Sequence, residues 1–159
     1  MIKMLRFDQE NLRFNYRSVA VLLNGTKVLI HKAPKDNFWA LPGGRVEFNE
    51  PANQTVKREM QEELGIDIVV ESLLWVVENF FDYNGKSDHE LGCYFLVSAP
   101  ITANFYTESK TFAGIEQDKC LIFKWHEIAA LRDIELQPKL LQNSLQDLPQ
   151  VPKYIVHYG

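Results

Sequence analysis

The sequence predicts an α/β protein whose mixed sheet is covered on two faces. Strand-like runs rich in β-branched and apolar residues lie both before and after a central helix, and a second helical stretch comes near the end. At 159 residues the chain, 1–159, has the length of a single domain. A domain of that size buries roughly 70% of the surface its unfolded chain exposes, so it needs no disulfide or structural metal to fold.

Residues 1–15 are polar and mixed, with short alternation at Leu5, Phe7, Leu12 and Phe14, and are left open between an edge strand and an arm. YRSVAVLL (16–23) is a strand, Asn24-Gly25 a hairpin-turn dipeptide and KVLIHK (27–32) the return strand. APKDN (33–37) is a loop by composition, and 38–41 leads into Pro42-Gly43-Gly44. Asn49 is the expected N-cap, with Glu50 and Pro51 in the first turn of a helix reaching Leu64. Ala52, Val56, Met60 and Leu64 step by four and form its core-facing stripe, and Gly65 suits the position just past a helix end. Residues 66–83 read as one long strand or two, 84–90 as a polar turn and 91–100 as a strand. A surface loop is expected over 101–118, a strand over 119–126, a short helix around Glu127 to Leu131 and a terminal helix from Gln137 to Leu145.

The stretch that organises the chain is GGRVEFNEPANQTVKREMQEELGI, Gly43 to Ile66. Glu59, Glu62 and Glu63 share one arc of its helix, because residues three and four apart point the same way. Carboxylates that close repel one another and weaken an isolated helix. A divalent cation offsets the repulsion, and an all-oxygen donor set suits Mg²⁺, with Mn²⁺ as substitute, rather than zinc.

Residues 44–66 fit the pattern G-x5-E-x7-R-E-U-x-E-E-x-G-U, with U apolar, at every specified place: Gly44, Glu50, Arg58, Glu59, Met60, Glu62, Glu63, Gly65 and Ile66. This resembles the Nudix box, the signature of the Nudix hydrolase family of MutT-like pyrophosphohydrolases. The resemblance implies a Nudix-type α/β/α sandwich with a mixed central sheet, the box forming a loop-helix-loop on it. It implies Mg²⁺-dependent hydrolysis of a nucleoside diphosphate linked to another moiety, whether a nucleoside triphosphate, dinucleoside polyphosphate, ADP-ribose or nucleotide sugar. It also implies roles. Glu59 and Glu63 are metal ligands, Glu62 is a ligand or positions water, and the Gly43 carbonyl is a backbone ligand. Arg58 fixes the Glu59 rotamer, and Glu50 has a supporting role. An acid from later in the chain acts as ligand or general base. Glu90 is the choice, following a turn and preceding a strand, with Glu78 and Glu116 as rivals; His89 beside it is left out. The catalytic set is thus Glu62, Glu63, Arg58 and Glu90.

Substrate marks outside the box are sparse. No coenzyme A-type motif precedes Leu41, and ENFFDYNG (78–85) lacks the proline frequent in ADP-ribose enzymes. Tyr83 matches a tyrosine common in diadenosine polyphosphate enzymes. Phe38, Trp39, Phe80, Phe81 and Tyr83 are able to stack a base, although aromatics in strands usually pack in the core. Two other readings share the fold. An isopentenyl-diphosphate-isomerase-like enzyme is disfavoured by the intact box, and a nucleotide-sensing domain is disfavoured because every box acid is kept.

Net charge is −4, which argues against a nucleic-acid duplex or an anionic membrane as partner but not against a small anionic substrate held through a metal. Cys93 and Cys120, both in apolar runs, read as buried free thiols of a reducing compartment. With no signal-like apolar segment and no run of eighteen apolar residues, a cytoplasmic enzyme is the expectation. A homodimer is an expectation from the resemblance alone.

Overall fold

The computed structural model describes residues 3–100, 106 and 110–159. Strand β1 (Arg6–Gln9) and strand β2 (Leu12–Asn24) form an antiparallel hairpin with Arg6 opposite Asn15, so much of the undecided N-terminal segment is strand. β2 turns through Gly25-Thr26 into β3 (Lys27–Lys32), and Asn24 pairs with Lys27. Gly25 takes φ 59°, open to a residue without Cβ. The remaining elements are β4 (Gly43–Arg45), α1 (Ala52–Leu64), β5 (Val69–Tyr83), β6 (Lys86–Ser98), β7 (Phe112–Ala113), β8 (Ile122–Glu127), a 3₁₀ helix (Ile128–Asp133), α2 (Leu141–Ser144) and β9 (Lys153–Tyr158).

The sheet runs β7-β8-β3-β2-β6-β5-β9, with β1 and β4 also paired to β2. The β2–β6 and β5–β9 pairs are parallel and the others antiparallel, which makes the sheet mixed as expected. One face buries Ala20, Leu22, Leu29, Phe95 and Phe123 against Val56 and Met60 of α1. The other buries Val19, Ile30, Val77 and Tyr94 against Leu131, Leu136, Leu141 and Leu145. Alternation along each strand sends successive side chains to these two cores.

Several boundaries differ from expectation. Asn49 is not the N-cap: it stands at φ 61° in the turn before the helix, and Pro51 flanks α1 with no side-chain cap. Glu50 likewise lies outside the helix, its carboxylate accepting the Thr55 hydroxyl at 2.6 Å. The C-terminus does match, with Gly65 at φ 68° donating its N–H to the Gln61 carbonyl. The polar turn expected over 84–90 is only Asn84-Gly85; both have positive φ, so pairing resumes at once with Tyr83 opposite Lys86. Of the loop expected over 101–118, residues 101–105 and 107–109 lie outside the described residues, and 112–113 are strand. The terminal helix is cut to α2 because residues 138–142 wind tightly, Leu141 N–H bonding the Pro138 carbonyl and Gln142 N–H that of Lys139. β9 was not expected; its alternating KYIVHY pairs with the edge of β5. The two thiols are free, but Cys93 is half-buried and Cys120 is exposed, in the turn before β8 at φ 50°. No helix of the described residues is long and apolar enough to cross a membrane.

Candidate active site

The glycine pair sits where backbone must pass close to its neighbours. β4 pairs with β2, placing Gly43 opposite Val19, Gly44 opposite Ser18 and Arg45 opposite Arg17. A Cβ on Gly43 would run into the Ser18 carbonyl, and one on Gly44 would overlap the Glu59 carboxylate. Ser18 Oγ donates to the Ala52 carbonyl at 2.6 Å and ties the start of α1 to the same strand. Helix and glycine strand are therefore clamped together, with Glu59 filling the space that Gly44 leaves open.

Arg58 gathers acids from the turn before α1 and from the second half of the helix. Its Nε and Nη2 donate to Glu50 at 2.7 and 3.0 Å, and Nη1 reaches Glu59 at 3.0 Å and Glu62 at 3.2 Å. Nη2 also donates to the Arg45 carbonyl at 3.2 Å. Glu50 accepts in addition from Thr55 and from the Glu47 N–H. The Arg58 bonds, aided by these, hold the Glu50 carboxyl down at about 2, and Glu50 in turn raises Arg58 further above its ordinary range.

One turn further the pattern reverses. Glu59 and Glu63 are buried, at 5% and 1% exposure, and each has an Oε2 without a hydrogen-bond partner. Burial, then the Glu59 charge, pushes Glu63 up to about 8. His31 Nδ1 lies 3.9 Å from Glu63 Oε2. Burial, then Arg17 and Lys119, lowers His31 to about 3, so the imidazole is neutral and the contact is not an ion pair. Lys119 stands across the pair, its Nζ 3.6 Å from Glu59, 3.7 Å from Glu63 and 3.6 Å from Glu116.

The structure thus brings Arg58, Glu59, Glu62 and Glu63 together beside Gly43 and Gly44, with Glu62 the most open at 46% side-chain exposure. Glu90 is placed differently. It lies within β6 rather than after a turn, between Asn15 and Asn79, on the Tyr94 face of the sheet and not the Phe95 face that packs on α1. Burial raises its pKa, and its link to the box is Arg17, whose Nε is 3.9 Å away and whose charge also acts on Glu63. Of its rivals, Glu116 shares Lys119 with the carboxylate pair, whereas Glu78 bonds His89 at 2.9 Å and the Tyr154 hydroxyl on β9. Lys119, His31 and Arg17 were missed. His31 and Arg17 lie in strands where nothing local marks them, and Lys119 precedes an apolar run that read as strand. Among the aromatics, Tyr83 donates to Asp36 at 2.7 Å and meets Phe38 edge-on, Trp39 lies under Lys124, and Phe80 stacks on His89 and Tyr158.

Among the described residues no three carboxylate, imidazole or thiol groups already converge as a closed metal cage. The donor set nevertheless suits Mg²⁺, which is commonly held by one or two carboxylates and completed by water and substrate phosphate. Two buried carboxylates with unpartnered oxygens, on one helix, have the donor chemistry such a half-site would need.

Comparison with known proteins identifies the family. The family model for the NUDIX domain matches residues 15–145. An "Uncharacterized Nudix hydrolase YvcI" of Bacillus subtilis is 29% identical over 118 residues, covering 74% of this chain and 69% of that protein. An "8-oxo-dGTP diphosphatase" of Proteus vulgaris is 36% identical over 90 residues, covering 57% of this chain and 75% of its own. Among solved structures, a MutT protein from Bacillus halodurans superposes with a TM-score of 0.61 at 18% identity, covering 91% of this chain and 90% of that one, a likeness of fold.

Proposed function

This chain belongs to the Nudix hydrolase family, and on that premise we propose that it is a Mg²⁺-dependent pyrophosphohydrolase of small nucleotides, working as a single cytoplasmic domain. The observation that carries the reading is the buried Glu59–Glu63 pair: each acid keeps an oxygen without a hydrogen-bond partner, Glu59 lies against Gly44, and Lys119 stands beside both. Buried carboxylates without partners are costly, and a divalent ion offsets the cost.

Glu59 and Glu63, with Glu62 and the Gly43 carbonyl, would hold the ion. Bound there, Mg²⁺ neutralises diphosphate oxygens and lowers the pKa of a coordinated water. The chain does the rest. Arg58 fixes the rotamers of Glu59 and Glu62 through the bonds already described, and Glu50 holds Arg58 in turn. Glu62, open to solvent, orients the water that attacks phosphorus. Arg17, paired with Glu90, carries a positive charge that acts on both Glu63 and Glu90. Glu116 and Glu90 are the two candidates for the acid outside the box.

The substrate is a nucleoside diphosphate linked to a further moiety. The name of the Proteus relative favours nucleoside triphosphates within that class. The test is a hydrolysis panel with Mg²⁺: oxidised and ordinary deoxynucleoside triphosphates, diadenosine polyphosphates, ADP-ribose and nucleotide sugars, with products identified by mass. One class cleaved by the intact enzyme and not by Glu63→Gln is the expected result. No cleavage anywhere, with Mg²⁺ demonstrably bound, would overturn the hydrolase reading. Glu116→Gln and Glu90→Gln, assayed on the preferred substrate, decide which acid serves.

A further inference from the structure

Lys119 is the one cation seen to touch Glu59 and Glu63 together among the described residues. Its contacts of 3.6 to 3.7 Å exceed ordinary hydrogen-bond length, so charge rather than direction holds the ammonium there. Its position is nonetheless built in. The preceding segment is fastened to the end of α1, where Ile115 N–H bonds the Glu63 carbonyl at 2.8 Å. At Gly114 even a Cβ would come within 2.9 Å of that carbonyl. The turn that carries Lys119 is closed by a Cys120 thiol bond to the Gln117 carbonyl at 3.0 Å.

The two cations near these acids differ in freedom. Arg58 is pinned by five side-chain bonds to Glu50, Glu59 and Glu62, and by one to the Arg45 carbonyl. It cannot leave without unmaking them. Lys119 has a flexible stem, a compact charge and 43% side-chain exposure. A divalent ion and an ammonium cannot occupy one carboxylate pair together, because like charges at such distances repel.

We propose that Lys119 is an exchangeable counter-ion: it occupies the Glu59–Glu63 pair while no metal is bound, yields to the divalent ion, and then contacts the substrate's phosphates from the site's edge. This rests on the metal-dependent reading above. It makes Lys119 a substrate-contacting residue that works against metal binding and for substrate binding. Opposite effects of one side chain are its signature.

The experiment uses the full chain and two probes, Mn²⁺ alone by electron paramagnetic resonance and inorganic tripolyphosphate in the presence of metal by calorimetry. Lys119→Gln should tighten Mn²⁺ binding by about one-and-a-half- to fivefold, the range expected for a partly exposed ion contact. It should weaken tripolyphosphate binding by a similar factor and raise KM for the preferred substrate more than it lowers kcat. Lys119→Arg, which keeps the charge, should restore phosphate binding. Mn²⁺ binding by Lys119→Gln that is unchanged or weaker than wild type overturns the proposal, as does unchanged tripolyphosphate binding. Wild-type and Glu63→Gln proteins serve as the frame. If wild type binds Mn²⁺ and Glu63→Gln does not, the metal reading stands and Lys119 alone is on trial. If neither binds, the functional reading itself falls.

Discussion

The turn before α1 and the second half of that helix carry the same kind of acid and treat it in opposite ways. Beside its start, both Glu50 oxygens are bonded by Arg58, with Thr55 and the Glu47 N–H adding further donors. Nine and thirteen residues later, Glu59 and Glu63 are more deeply buried and yet leave an oxygen each without a donor. A chain optimised for stability alone would neutralise that pair as it does Glu50, since an unsatisfied buried carboxylate is among the costlier features a fold can carry. The difference separates framework from chemistry. The satisfied knot holds the start of the helix, whereas the pair is met by Arg58 on one Glu59 oxygen and otherwise only by Lys119 at longer range.

The largest effect that would break this comparison comes from Glu63→Gln. If the pair is chemistry, turnover should fall by about two to four orders of magnitude, while circular dichroism and the metal-free melting temperature stay at or above wild type. A variant that unfolds instead would return Glu63 to the framework.

The glycines sharpen the same distinction. Gly43→Ala drives a methyl into the backbone of Ser18 and Val19, which cannot give way, so it should cost several kcal/mol and yield little folded protein. Gly44→Ala meets only the end of the Glu59 side chain. It should fold with a modest loss, about 1 kcal/mol, but bind Mn²⁺ at least tenfold more weakly because the carboxylate is displaced. Equal stability of the two variants, measured by denaturant unfolding, would mean that Gly44 is framework too.

How much of this was legible beforehand depends on whether the signal is local. The helix, its apolar stripe, Gly65 and the arc of acids follow from a period that residues 52–65 display by themselves. The sheet's mixed character and its two covered faces also follow from the order of elements. What was not legible is pairing across distance. Asn49 looked like a cap because nothing nearby shows that Glu50 is claimed by Arg58, eight residues on. Glu90 looked like a turn acid because DHE is polar, whereas two neighbouring strands extend the ladder through it. Lys119 was invisible because its relation to Glu63 is made by the docking of residues 114–115 on the helix end.

The smallest effect concerns the satisfied end and depends on pH. The Glu50 carboxyl is held at about 2 in the folded protein, below its ordinary 4.5, chiefly by Arg58. A depressed carboxyl contributes stability that is present above pH 4.5 and is lost as pH falls through its folded value. For a side chain only 16% exposed the contribution at neutral pH is about 2–3 kcal/mol. Wild type should therefore lose that much between about pH 4.5 and pH 2 in urea unfolding. Glu50→Gln should begin lower at pH 7 and show a flatter acid limb over the same interval. Parallel acid limbs in the two proteins would mean that Arg58 does not hold Glu50 in solution, and the contrast between Glu50 and the Glu59–Glu63 pair would lose its satisfied side.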